Sequence, residues 1–188
     1  MVRDRLLALL KLHSFRRQRV VLASGRESDF FIDCKQTVLT AEGHALAGEI
    51  FFDVLAASPE RARILAVAGV ELGGCPLASA TACVSFLRGA PLDAVYVRKG
   101  AKDHGSKRLL EGDTRLGAGA SIAVLEDVVT TGGSTLDAVA KLRDAGYAVA
   151  GVVALVDRLE GGADAIRGSG LRFESIYTRD DFIPKGDA

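Results

Sequence analysis

At 188 residues with 48% apolar side chains, the chain is long enough to bury a core of its own and is far from the composition of disordered segments. Lys plus Arg number 24 and Asp plus Glu number 24, so the net charge is zero, whereas a general nucleic-acid or anionic-membrane binder carries a basic excess. Cys34, Cys75 and Cys83 are odd in number, widely spaced and form no C-x-x-C, which argues against a disulfide framework or zinc site and for a reducing, cytoplasmic setting. No run approaches the ~18 apolar residues of a membrane helix, and the start of the chain is too charged for a signal peptide. A soluble single domain spanning 1–188 is expected.

In chain order, residues 3–13 carry leucines at amphipathic-helix spacing. Val20 to Leu22 and Phe30 to Ile32 read as the strands of a hairpin broken at Ser24-Gly25-Arg26. Thr40 suits the N-cap of the next helix, whose apolar positions recur at i and i+4 and which ends at Ser58-Pro59. A short buried strand, Ile64 to Ala68, leads into a glycine-rich turn at 69–75. Pro76 then stands near the start of a helix running to about Arg88. Ala94 to Val97 is a strand opening directly onto Arg98 and Lys99. Residues 99–113 show no apolar periodicity and read as a long polar loop. The run Ile122 to Leu125 is a strand followed by Glu126 and Asp127, a turn at 130–134, and a helix stopped by Gly146. A strand from about Ala148 to Val156 ends in Asp157-Arg158. A last strand lies near Arg172 to Tyr177, and the tail from Thr178 is polar and peripheral. Strand and helix alternating with buried apolar strands imply an α/β fold, a mainly parallel twisted sheet flanked by helices. The N-terminal segment, about 1–40, breaks that alternation and reads as a small cap (hood) on a core of about 41–178, with 179–188 as the tail.

Ligands of open parallel sheets bind beyond the carboxyl ends of the strands. Four stretches fall at such ends: 69–75, 98–113, 126–134 and 157–158. The turn Thr130-Thr131-Gly132-Gly133-Ser134 opens a helix, so its free N–H groups and the helix dipole favour a phosphate. Glu126 and Asp127 would repel phosphate; they suit sugar hydroxyls or a metal ion. Neither a Walker loop nor a G-x-G-x-x-G occurs in strand–helix context. The stretch 98–108 holds five fixed cations and His104, which suits neutralising a departing polyphosphate. Lys102 and His104, two apart, face one side if that segment is extended.

Three of these stretches resemble one family. Val124 to Ser134 (VLEDVVTTGGS) is similar to the phosphoribosyl-diphosphate (PRPP) motif of type I phosphoribosyltransferases. Arg98 to Gly105 (RKGAKDHG) resembles the flexible catalytic loop of the orotate phosphoribosyltransferases. Ser24 to Asp33 (SGRESDFFID) and Val156-Asp157-Arg158 resemble that family's N-terminal segment and late arginine. The resemblance implies the type I phosphoribosyltransferase fold and transfer of phosphoribosyl from PRPP to orotate with Mg²⁺, giving orotidine 5′-monophosphate and pyrophosphate in pyrimidine biosynthesis. It implies Lys102 and His104 as catalytic residues. PRPP would be bound by Arg98, Lys99, Lys102 and His104 of the loop and by Glu126, Asp127, Val128, Val129, Thr130, Thr131, Gly132, Gly133 and Ser134. Orotate would meet Thr130, Arg158, Phe30 and Phe31, the phenylalanines as an apolar wall. Mg²⁺ would be held mainly by PRPP, without protein side chains as metal ligands. The family also implies a homodimer whose catalytic loop is shared across the interface, with no nucleic-acid or membrane partner. The chain departs from the family at Ala23 and at Leu72-Gly73, where relatives carry lysine or tyrosine and lysine; Lys35 is a candidate substitute cation. Two other readings share the PRPP motif: a transferase for a purine or uracil, and a PRPP-sensing RNA-binding regulator.

Overall fold

The computed structural model describes residues 1–21, 27–100 and 108–183. Helix α1 (Val2–Leu9) widens into a π-type turn (Leu10–Ser14) and is followed by the hairpin β1 (Phe15–Val21) and β2 (Glu27–Ile32). A short helix α2 (Lys35–Val38) and the long α3 (Ala41–Ala57) come next. Thr40 caps α3 as expected, its Oγ1 accepting the Gly43 N–H at 3.0 Å. Then follow β3 (Ile64–Val70), α4 (Gly74–Leu87), β4 (Asp93–Val97), β5 (Leu110–Glu111), β6 (Ser121–Val129), α5 (Gly133–Asp144), β7 (Ala148–Asp157), α6 (Gly162–Gly168), β8 (Phe173–Thr178) and α7 (Arg179–Phe182).

The main sheet has the order β5-β4-β3-β6-β7-β8. Strands β4, β3, β6, β7 and β8 pair in parallel, and β5 closes one edge antiparallel to β4. Both faces are covered, which is why β3, β6 and β7 are nearly continuous apolar runs. One face packs Val67, Ala123, Leu125 and Leu155 against Phe51, Leu77 and Leu6; the other packs Ile122, Val124 and Ala154 against Val139, Leu142 and Ile166. Each large side chain removed from water this way contributes about 1.5–3 kcal/mol.

Two expectations need correction. The segment 99–113 is not all loop: Val97 pairs with Leu110 and Tyr96 with Glu111, and a 3₁₀ turn follows at Asp113–Arg115. A two-residue strand is too short to leave a periodic pattern. The tail is also not wholly peripheral. Phe182 and Ile183 are buried, and the Phe182 ring lies 5.5 Å from that of Phe15 and 5.6 Å from that of Phe30. With the Arg179–Asp29 ion pair at 2.6 Å, α7 fastens the hairpin to the core.

Candidate active site

Parallel pairing brings the carboxyl ends of β3, β4, β6 and β7 to one edge of the sheet. Strand β6 runs on through both acids to Val129, so Glu126 and Asp127 lie within the strand and not beyond it. Strand alternation therefore turns their side chains to opposite faces. Glu126 points to α5, where its Oε2 accepts from Thr135 Oγ1 at 3.0 Å and from Ser134 Oγ at 3.4 Å. Only 4% of Glu126 is exposed. Burial and the adjacent charge of Asp127 push its carboxyl up to about 8 against the opposing Thr135 hydrogen bond. Asp127 is half-buried and lies against Gly73 of the β3–α4 turn, where an added Cβ would run into its carboxylate. A side chain at position 73 is thus incompatible with this placement of Asp127.

The turn after β6 is tied down by Arg158 N–H to Val129 O and Gly162 N–H to Thr130 O, both at 3.0 Å. Gly132 takes φ +83° as the residue before α5, a conformation that favours glycine. Thr131, Gly133 and Ser134 are exposed, Thr130 and Val128 are half-buried, and Val129 is buried. The opening N–H groups of α5 have no partner within the helix, so the exposed turn presents donors to solvent.

Arg98 and Lys99 leave β4 beside this turn. Together with Gly133, Ser134, Asp137 and Lys141 they line a cavity of about 310 Å³. The Lys99 N–H donates to Glu71 Oε2 at 2.7 Å, so Glu71 braces the basic segment and is not turned out as a lone acid. Lys102 and His104 lie outside the described residues, as do Ala23 and the Ser24-Gly25-Arg26 break.

Asp157 Oδ1 accepts the Leu159 N–H at 2.8 Å and so fixes the bend that presents Arg158. The Arg158 guanidinium donates to Phe30 O at 3.0 Å, pairs with Glu160 at 2.9 Å and stacks 5.6 Å from the Phe30 ring centroid. Phe30 itself is fully buried, so its ring supports Arg158 from below and does not form an exposed wall; Phe31, 39% exposed, is the phenylalanine that reaches solvent. Lys35 Nζ pairs with Asp33 at 2.6 Å, and the charge of Asp127 also helps raise its ammonium's pKa. Sequence reasoning missed Glu160, Thr135 and Lys141. An acid two residues after an arginine carries no signal without the bend at Asp157, and Thr135 and Lys141 look like ordinary helix residues. Among the described residues no group of three or more His, Cys, Asp or Glu is placed to hold a metal ion. Asp127 is the half-buried carboxylate beside the turn, with the buried Glu126 on the opposite face of β6.

No family model matches the chain. The chain is 68% identical over 182 residues to the orotate phosphoribosyltransferase of Sorangium cellulosum (strain So ce56), covering 97% of this chain and 93% of that protein. The chain belongs to the orotate phosphoribosyltransferase family. The α/β fold and the transfer of phosphoribosyl to orotate therefore stand as expected. Among solved members of the family, the Mycobacterium tuberculosis H37Rv orotate phosphoribosyltransferase in complex with Fe(III) dicitrate superimposes with a TM-score of 0.82 at 37% identity, over 97% of this chain and 99% of that one. The same M. tuberculosis enzyme in complex with PRPP gives a TM-score of 0.78 at 34% identity, over 97% and 99%. No helix among the described residues is long and apolar enough to cross a membrane.

Proposed function

We propose that this orotate phosphoribosyltransferase binds PRPP along the edge formed by β4, β6 and α5 and orotate beside Arg158. The observation that supports this most is the convergence on one strand edge of an exposed glycine-rich turn, a half-buried aspartate and a braced arginine. The N–H groups of Thr131 to Ser134 hold the 5′-phosphate, Thr130 and the backbone of Val128 and Val129 shape its floor, and Asp127 accepts from the ribose hydroxyls. Glu126 acts chiefly through the α5 turn that it braces. Arg98 and Lys99, with Lys102 and His104, face the diphosphate and stabilise it as it leaves, Lys102 being the principal catalytic cation. An oxocarbenium-like transition state gains most from stabilising that leaving group. Arg158 and Thr130 hold orotate; the planar guanidinium fork matches a carboxylate and a neighbouring carbonyl. Mg²⁺, held mainly by PRPP oxygens, would neutralise diphosphate charge.

The enzyme works as a cytoplasmic homodimer with the 98–108 segment shared across the interface. Pro76, Ser79, Cys83 and Phe86 of α4 recur three and four apart, and Phe86 and Leu87 are 73% and 75% exposed. Tyr96 of β4 joins this stripe through its hydroxyl's 2.5 Å contact with Ser79 Oγ. A second copy of the stripe would cover it.

The test supplies PRPP and Mg²⁺ with orotate, uracil, hypoxanthine or xanthine in separate reactions and measures pyrophosphate release. Release is expected with orotate alone. Release with a purine or uracil but not with orotate would overturn the assignment of the base.

A further inference from the structure

Lys141 lies two turns into α5, the helix that the phosphate turn opens. Its ammonium has three donors, and three acceptors take them: the Arg98 carbonyl at 3.0 Å, the Lys99 carbonyl at 3.0 Å and Asp137 Oδ2 at 2.5 Å. The side chain is 13% exposed. With its donors saturated, Lys141 is not arranged as a phosphate ligand, although it lines the same cavity as Arg98 and Lys99.

From the other side, Glu71 of the β3–α4 turn accepts the Lys99 N–H at 2.7 Å. The backbone of Lys99 is thus held at its N–H by a carboxylate and at its carbonyl by an ammonium. The Arg98 carbonyl is held as well, and the Arg98 N–H donates to Leu109 O at 2.9 Å. A simple i,i+4 pair between Lys141 and Asp137 would contribute little on an exposed helix face. The two carbonyl bonds distinguish this lysine, because they tie the helix of the phosphate turn to the backbone from which two cations project.

We infer that Lys141 is a positioning residue for the leaving-group site: it fixes the Arg98–Lys99 backbone at a set distance from the 130–134 turn. This role rests on the proposed placement of PRPP. Both ends of PRPP, the 5′-phosphate and the diphosphate, would then be read by one rigid unit. Small misplacements of such a unit cost reactivity without abolishing the fold.

Lys141→Met keeps the apolar stem and removes the ammonium. It is expected to raise the KM for PRPP and lower kcat, together reducing kcat/KM for PRPP by about tenfold or more, while the KM for orotate stays within about twofold. Lys141→Arg restores most of the loss, because a guanidinium can still donate to both carbonyls. Asp137→Asn loosens the same ammonium from its solvent side and shifts the same parameters by a smaller factor. An unchanged kcat/KM for PRPP in Lys141→Met, or a loss spread equally over both substrates with a lowered melting temperature, would overturn the inference. PRPP affinity measured by calorimetry without a base keeps this test separate from the choice of base. If the wild type bound PRPP but released no pyrophosphate with orotate, the base assignment would fall. A weaker affinity in Lys141→Met would still support the role of Lys141, and an equal affinity would still overturn it.

Discussion

Glu126 holds its proton more tightly in the folded chain than in the unfolded one, because burial and Asp127 both oppose its charge. Between the ordinary glutamate value of 4.5 and about 8, the folded state therefore binds more protons than the unfolded state. Stability from this group is complete below the lower value and is lost as pH rises through the upper one. Melting curves of the wild type should fall as pH is raised from about 5 to about 8, and Glu126→Gln should flatten that slope. Equal slopes in the two proteins would mean that Glu126 does not titrate in this window. The acids at 126 and 127 are legible as candidates because two adjacent charges interrupt an otherwise apolar run. Their division between two faces is not, since it depends on β6 extending to Val129 between β3 and β7. Gly73 shows the same limit: it reads as a missing lysine until the Asp127 carboxylate is found in the space a side chain would need.

Among the elements, α7 is the one whose role is hidden in a polar-looking terminus. Its four residues place Phe182 among Phe15, Phe30 and Tyr177 and set Arg179 on Asp29. The hairpin and Arg158 share Phe30, so loosening α7 reaches the side of the site proposed for orotate. Phe182→Ala should cost about 3 kcal/mol in denaturant unfolding, as for other large aromatic truncations in cores. It should also raise the KM for orotate more than that for PRPP. Loss of stability with both KM values untouched would separate α7 from the site. The alternating core elements are legible because each long apolar run keeps one period. The short ones, α2, β5 and α7, hold two to four residues each and depend on partners distant in the chain.

For the whole molecule, one sheet edge carries the proposed chemistry and the α4 stripe carries the proposed assembly. Phe86→Asp places a charge at the C-terminal end of that stripe, on a residue exposed in the single chain, so the fold should survive while light scattering shows monomers. A persistent dimer would move the interface elsewhere. The stripe also contains Cys83, the exposed thiol; Cys34 and Cys75 are buried, and burial and nearby carboxylates hold both as unreactive thiols, Cys75 at about 11. A thiol reagent should therefore modify one site per chain, slowly when the chains are paired and quickly once they part. In the proposed dimer the chain would thus contain its own clock for subunit exchange: the labelling rate of Cys83 against protein concentration would time how often two copies separate, without any added probe.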